Sequence, residues 1–196
     1  MKPKSKSLRK QISELARLLT PMVTGSKKMT KRDRHDTIYY KLYDLKWNLL
    51  GQGSYASVLG NNNYPRLVIK VLLEDDRPYT AYAKFCMAYA RKHKELPRIY
   101  KKIQISKYQS VYILERLKSI HSYEFNVAKL INRINLTFHR TFKDLWLRDP
   151  LCKKEMTGIS KILKKIPRSL KQCTPDIHQG NIMMRGKTVV LSDIFC

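Results

Sequence analysis

Asp176 and Asn181 stand five residues apart in the run Asp176-Ile177-His178-Gln179-Gly180-Asn181-Ile182-Met183, and Asp193 follows twelve residues beyond Asn181. Oxygen-bearing side chains at that spacing suit phosphoryl transfer, in which a protein mainly positions groups and neutralises charge. Asp176 fits the base that takes the proton of an acceptor hydroxyl. Asn181 and Asp193 fit the hard oxygen donors that Mg²⁺ prefers. A purely structural alternative is a capped turn in which Asp and Asn bond their own backbone.

Two upstream segments add to this chemistry. Gly51-Gln52-Gly53-Ser54-Tyr55-Ala56-Ser57-Val58 has the form G-x-G-x-x-A-x-V. Glycines there let the backbone approach phosphates, and free N–H groups can bond their oxygens. A dinucleotide fingerprint needs a helix after the glycines, whereas Tyr55–Leu59 reads as a strand. Seen singly, glycines between strands are a turn. Lys70 ends the apolar segment Val68-Ile69-Lys70, 17 residues after Gly53, where a cation can meet nucleotide phosphates. Its structural alternative is a snorkelling lysine at a strand end. All three segments in order, with strands and helices between them, favour the chemical reading over the turn.

The elements that must carry these residues follow from periodicity. Leu8, Ile12, Leu15 and Leu18/Leu19 predict a short amphipathic helix ending before Pro21. Residues 24–34 read as a charged linker. Strands are expected at Leu45–Leu50, Tyr55–Leu59 and Leu67–Leu73, then a helix over 79–91, then strands at Ile99–Ile105 and Ser110–Leu114. Val127, Leu130/Ile131, Ile134, Phe138, Phe142 and Leu145/Trp146 form one helical stripe. Ile159, Ile162/Leu163, Ile166 and Leu170 form another, with Pro167 able to kink it. Ile182–Met184 and Thr188–Leu191 flank a hairpin turn at Arg185-Gly186-Lys187. The expected organisation is a basic helix and linker at 1–46, a five-stranded lobe with one helix at 47–117, and a helical lobe with the Asp176 loop at 118–196.

Bulk properties narrow the partners. The 196 residues are 43% hydrophobic, enough for a core, and carry a net charge of +25. That charge favours encounters with acidic proteins and with nucleic acid, the latter through counterion release. Residues 1–46 hold 13 Lys/Arg against 4 Asp/Glu. Lys27, Lys28, Lys31, Arg32 and Arg34 form one candidate recruiting cluster, and Lys161, Lys164, Lys165, Arg168 and Lys171 another; a solvated basic face is the plainer reading. Cys86, Cys152, Cys173 and Cys196 include no C-x-x-C pair, so neither zinc nor a disulfide framework is expected. With no apolar run of membrane length and no signal-peptide core, a cytoplasmic protein without a membrane partner is expected.

The ordered set resembles the protein-kinase superfamily: glycine-rich loop, V-x-K-like strand, D-x-H-x-G-N loop and Asp193-Ile194-Phe195 where D-F-G would stand. The loop form is similar to the aminoglycoside/choline kinase and RIO-like variants. More narrowly, Leu50-Gly51-Gln52-Gly53, Val68-Ile69-Lys70-Val71, Tyr79-Thr80-Ala81-Tyr82 running into Phe85-Cys86-Met87, and Asp176–Met183 resemble the early serine/threonine protein kinase of lytic podovirus-type bacteriophages. The likeness covers roughly residues 47–196.

The resemblance implies an α+β, reduced bilobal protein-kinase-like fold. It comprises a five-stranded antiparallel N-lobe with one helix and a small, mostly helical C-lobe ending just after the metal-binding Asp. It implies ATP and Mg²⁺ as cofactors, with Gly51, Gly53, Ala56 and Val58 over the nucleotide and Lys70 on its phosphates. Glu115-Arg116-Leu117 would be the hinge whose Glu115 and Leu117 backbone meets adenine, and Met183 the floor of that pocket. Host proteins of the transcription or RNA-processing machinery are the implied substrates, in the host cytoplasm. Three departures stand against the pattern. The helix at 79–91 contains no Asp or Glu to pair with Lys70, Thr174-Pro175 replaces the usual residues before Asp176, and the sequence ends at Cys196. They keep a second expectation open, a non-catalytic kinase-fold protein that binds an acidic partner or nucleic acid through its basic surface. A small-molecule phosphotransferase is a third.

Overall fold

The computed structural model describes residues 7–25, 29–73, 76–105, 109–120, 131, 158–159, 161–162, 165–167, 170 and 173–195. The chain divides into two compact units, one of Met1–Arg77 with Ile99–Arg116 and one of Pro78–Arg98 with Leu117–Cys196.

The first unit opens with α1 (Leu8–Gly25) and α2 (Lys31–Asp44). The strands β1 (Asn48–Gln52), β2 (Ala56–Gly60), β3 (Leu67–Leu72), β4 (Ile99–Gln104) and β5 (Ser110–Glu115) form one antiparallel sheet in the order β1-β2-β3-β5-β4. Because side chains alternate along a strand, each strand sends alternate residues to each face. Leu59, Leu67, Ile69, Val71, Ile103, Val111 and Ile113 pack in one cluster with Leu15, Leu19 and Val23 of α1 and Ile38 and Leu42 of α2. The two N-terminal helices therefore belong to the sheet's own core. The central strands β3 and β5 are buried at every position, which is why they read as near-continuous apolar runs, interrupted only by Lys70 in β3 and by Ser110 and Glu115 at the ends of β5.

Three expectations change here. α1 does not stop before Pro21 but continues through it to Gly25. Pro21 cannot donate to the carbonyl one turn back, yet Leu19 and Val23, on either side of it, are both buried in the cluster. That shared burial holds the two halves in one helix. The stretch taken as a linker holds the start of α2. Thr30 is its N-cap, accepting from Asp33 N at 3.3 Å and donating to Asp33 Oδ2 at 2.6 Å. β1 begins at Asn48 and not at Leu45, because α2 closes first in a Schellman turn: Trp47 N donates to Leu42 O and Lys46 N to Tyr43 O. Lys46 takes the left-handed position at φ 64° that glycine usually fills. The buried Trp47 then stacks on Tyr64, with centroids 5.5 Å apart.

In the second unit, α3 (Arg77–Tyr89) buries Tyr79, Tyr82, Ala83, Phe85 and Cys86 along one stripe, and Pro78 in its first turn removes no helical hydrogen bond. A three-stranded sheet joins β6 (Lys118–Ser119), which the sequence pattern did not mark, to β7 (Ile182–Arg185) and β8 (Thr188–Leu191). The last two form the expected hairpin. Arg185 faces Thr188 across the two-residue turn, and Gly186 has φ 56°. Ile159, Ile162, Ile166 and Leu170 are buried while Lys161 and Lys165 are exposed, and the backbone bends at Ile166 just before Pro167. The stripe expected over 127–146 lies outside the described residues except for Ile131. No helix among the described residues is long and apolar enough to cross a membrane.

Candidate functional site

In the first unit, strand register gathers the residues of the glycine motif and Lys70. Val58 lies opposite Lys70 across β2 and β3, and Tyr112 lies opposite Lys70 across β3 and β5. Directly opposed residues share a face, so Val58, Lys70 and Tyr112 face away from α1 and α2. Ala56 is two residues before Val58 and on the same side. Gly51 lies in β1 and Gly53 just beyond it, where Gly53 N donates to Ala56 O at 2.9 Å and closes the turn.

Neither Gly51 nor Gly53 has a positive φ, and a Cβ on either would meet nothing within 4 Å. The fold itself does not demand glycine at those two positions. Gly60 is the contrast: a Cβ there would stand 2.6 Å from Leu50 Cδ1. Glu115 is the last, buried residue of β5, and Leu117 follows in the link to β6.

In the second unit, Asn181 organises the Asp176 loop. Its Nδ2 donates to both the backbone oxygen and Oδ2 of Asp176, each at 2.9 Å. The Asn181 carbonyl accepts from Ser192 N at 2.9 Å, from Ser192 Oγ at 2.8 Å and from Asp193 N at 3.4 Å. Asp176 N in turn donates to Ile194 O at 3.0 Å, and Pro175 bridges to Phe195. One residue thus joins Asp176 to Asp193, and the three are brought together. Met183 lies on β7 two residues beyond, paired with Ser119 and Val190.

Three further residues support this loop and carried no assigned role in the sequence. Gly180 N donates to His178 Nδ1 at 3.1 Å, so the ring proton sits on Nε2, which lies 3.6 Å from Asp176 Oδ2. A Cβ at Gly180 would come within 2.8 Å of His178 Cε1, so glycine is needed for that approach. Ser192 is the second, through the two bonds above. The third, Tyr82 on α3, donates its hydroxyl to Leu191 O and sets its ring edge-on to Phe195 at 5.6 Å. Burial pushes the Tyr82 phenol well above its ordinary pKa, with the Cys86 thiol and the Asp193 carboxylate adding to the shift. Burial likewise raises the Cys86 thiol against the opposing effect of its bond with Tyr82. Both groups stay protonated, and Tyr82 remains a donor. Tyr82 falls on the apolar stripe of α3, so its spacing looks like ordinary core.

α3 carries no acidic residue. Glu95 is buried in the second unit, where its carbonyl accepts from Leu191 N at 2.9 Å and its carboxylate would collide with any Cβ on Gly158. Glu74 lies outside the described residues. The expected recruiting arm is corrected at one position. Arg34 is buried, held by Gln109 and by the Met29 carbonyl, and is no part of an exposed cationic surface. Arg32 is exposed, while Lys27, Lys28, Lys164, Arg168 and Lys171 lie outside the described residues.

A solved structure similar to this chain is a thermostable mutant of the aminoglycoside phosphotransferase APH(4)-Ia, in ternary complex with ADP and hygromycin B. It shares 9% identity at a TM-score of 0.39, over 80% of this chain and 71% of that one. So distant a likeness carries no functional argument. No curated protein matches in sequence. The model of the family described as bacteriophage T7 protein kinase 0.7 matches residues 12–193, nearly the whole chain. The chain belongs to that family, and its function is of the kinase type.

Proposed function

We propose that this protein is an ATP- and Mg²⁺-dependent serine/threonine protein kinase that transfers the γ-phosphate to host proteins during phage takeover. The observation that carries the reading is the joining of Asp176, Asn181 and Asp193 through the side chain and carbonyl of Asn181. In this reading Asp176 accepts the proton of the substrate hydroxyl while Asn181 holds its carboxylate in place. Asn181 Oδ1 and the Asp193 carboxylate would hold Mg²⁺. Mg²⁺ held by two side-chain oxygens would complete its octahedral shell with water and phosphate oxygens. When bound, the metal supplies charge neutralisation on the phosphates.

Lys70 and the glycine turn bind and orient the phosphates. Glycines required neither by φ nor by packing leave room for a ligand to approach the backbone. Glu115, Leu117 and Met183 border the adenine. The host substrates belong to transcription or RNA processing, and the exposed cations assist their encounter. The absence of any acidic residue on α3 favours a second reading, a kinase-fold protein that binds its partner without phosphorylating it.

Transfer of labelled γ-phosphate to the protein itself and to a host lysate, by wild type and by Asp176→Asn, separates the two. Labelling that disappears in the variant supports the enzyme. Equal labelling by both, or none by wild type, rejects it.

A further inference from the structure

α2 meets the sheet through polar side chains as well as apolar ones. His35 and Ser57 are 3% and 0% exposed and are joined at 3.2 Å through Nε2 and Oγ. The second ring nitrogen, Nδ1, lies 3.0 Å from Asp36 Oδ1, and Tyr39 stacks on the imidazole. One residue earlier, Arg34 donates to Gln109 Oε1 at 2.9 Å and to Met29 O at 2.8 Å. Gln109 Nε2 then donates to Leu72 O and Leu73 O, each at 3.1 Å. The result is a polar network running from α2 into β2, the end of β3 and the start of β5.

Aspartate, histidine and serine in that order resemble the groups that activate a serine nucleophile. Ser57 has no exposed surface, so no substrate reaches its hydroxyl, and the arrangement is mechanical. Buried polar pairs add little net stability over apolar packing but are costly to separate. They specify register: a slip of one residue would turn Ser57 to the other face and leave His35 buried opposite a hydrocarbon. Ser57 lies between Ala56 and Val58 and pairs with Val71, the neighbour of Lys70. Gln109 holds the carbonyls two and three residues past Lys70.

We infer that Arg34 and His35 are positioning residues for the phosphate end of the nucleotide site, locking the glycine-motif strand and the Lys70 strand in place from the rear face of the sheet. The inference rests on the kinase reading above.

The test uses the full chain, calorimetric binding of ATP with Mg²⁺, and the autophosphorylation rate at saturating ATP. Losing one buried hydrogen bond that positions the strands should raise the ATP Kd about tenfold in His35→Phe and in Ser57→Ala, with the saturated rate changing less than about twofold. His35→Gln, which keeps a hydrogen-bonding group, should recover most of the affinity. Ser57→Ala removes a single oxygen and keeps the test valid where His35→Phe fails to fold. Leu42→Ala on the same helix is the control, since it creates a cavity in the core without touching the network. It should lower Tm at least as far while leaving Kd unchanged. An unchanged Kd in Ser57→Ala overturns the inference, as does a Kd that rises in Leu42→Ala in step with its Tm. Wild type that binds no ATP removes the kinase reading and this inference with it; normal wild-type binding with unchanged variants removes the inference alone.

Discussion

The two regions that carry the candidate site are held in place by different physics. On the first unit's sheet, Val58, Lys70 and Tyr112 share a face because of strand register, and the opposite face is bolted to two helices by a dense apolar cluster. In the second unit, Asp176, Asn181 and Asp193 lie on loops flanking a short hairpin, and side-chain hydrogen bonds set their places. Chemistry and stability are therefore separable on the sheet, where they occupy opposite faces. In the loop one side chain serves both.

The largest expected effect is in the loop. Asn181→Ala removes the donor to Asp176 and the amide oxygen together, so phosphate transfer should fall by at least about 10³-fold, the scale of losing a positioned base and more. Single-turnover kinetics checks this, and a loss under tenfold would dissolve the contrast. Next come two adjacent residues of β3. Ile69→Ala, on the α-helical face, should destabilise the protein by about 2–5 kcal/mol in urea unfolding. Lys70→Met, on the other face, should lower transfer by about 10²-fold or more and change stability by less than about 1 kcal/mol, the scale separating a charge on phosphate from apolar packing. Equal stability losses at both positions would show that register does not separate the faces.

A smaller effect is expected at Tyr82. Tyr82→Phe leaves the Leu191 carbonyl without its donor and should cost about 1–3 kcal/mol. Because Leu191 is two residues before Asp193, transfer should also fall, by about tenfold at the Leu191–Asp193 segment's loss of one anchor. Thermal unfolding and initial rates measure the two. Gly51→Ala and Gly53→Ala sharpen the comparison from the other side. With open space around each Cβ, stability should stay within about 0.5 kcal/mol while ATP affinity drops.

The smallest expected effect concerns pH. Partial burial, and then the nearby Lys165 ammonium, lower the His93 pKa below its ordinary 6.5, and Lys165 Nζ donates to the neutral ring at 3.1 Å. Between the folded value and 6.5 the unfolded chain binds more protons than the folded one. Stability should therefore decline slightly as pH falls through that window and be retained above it. His93→Gln should flatten the slope of the urea midpoint between about pH 5 and 7.

Much of the molecule was legible in linear sequence because local rules dictated it. Apolar runs bounded by turn residues marked the five strands, Gly186 marked the hairpin turn, and spacing singled out Asp176, Asn181 and Asp193 as a set that the fold then links by hydrogen bonds. Pro21 misled, because local propensity counts the lost hydrogen bond but not the burial of Leu19 and Val23 on the same sheet. α2 was hidden because its apolar stripe is short and lies among charges, although Thr30 and Asp33 carry a capping signature. Burial alone decided that Arg34 is a structural side chain. Tertiary folding likewise selected Tyr82, Ser192 and His178 as supports of the loop. Residue type and spacing determine which groups can do chemistry; which groups hold them depends on partners distant in the chain, as Tyr82 and Leu191 are, and only the folded backbone brings those together.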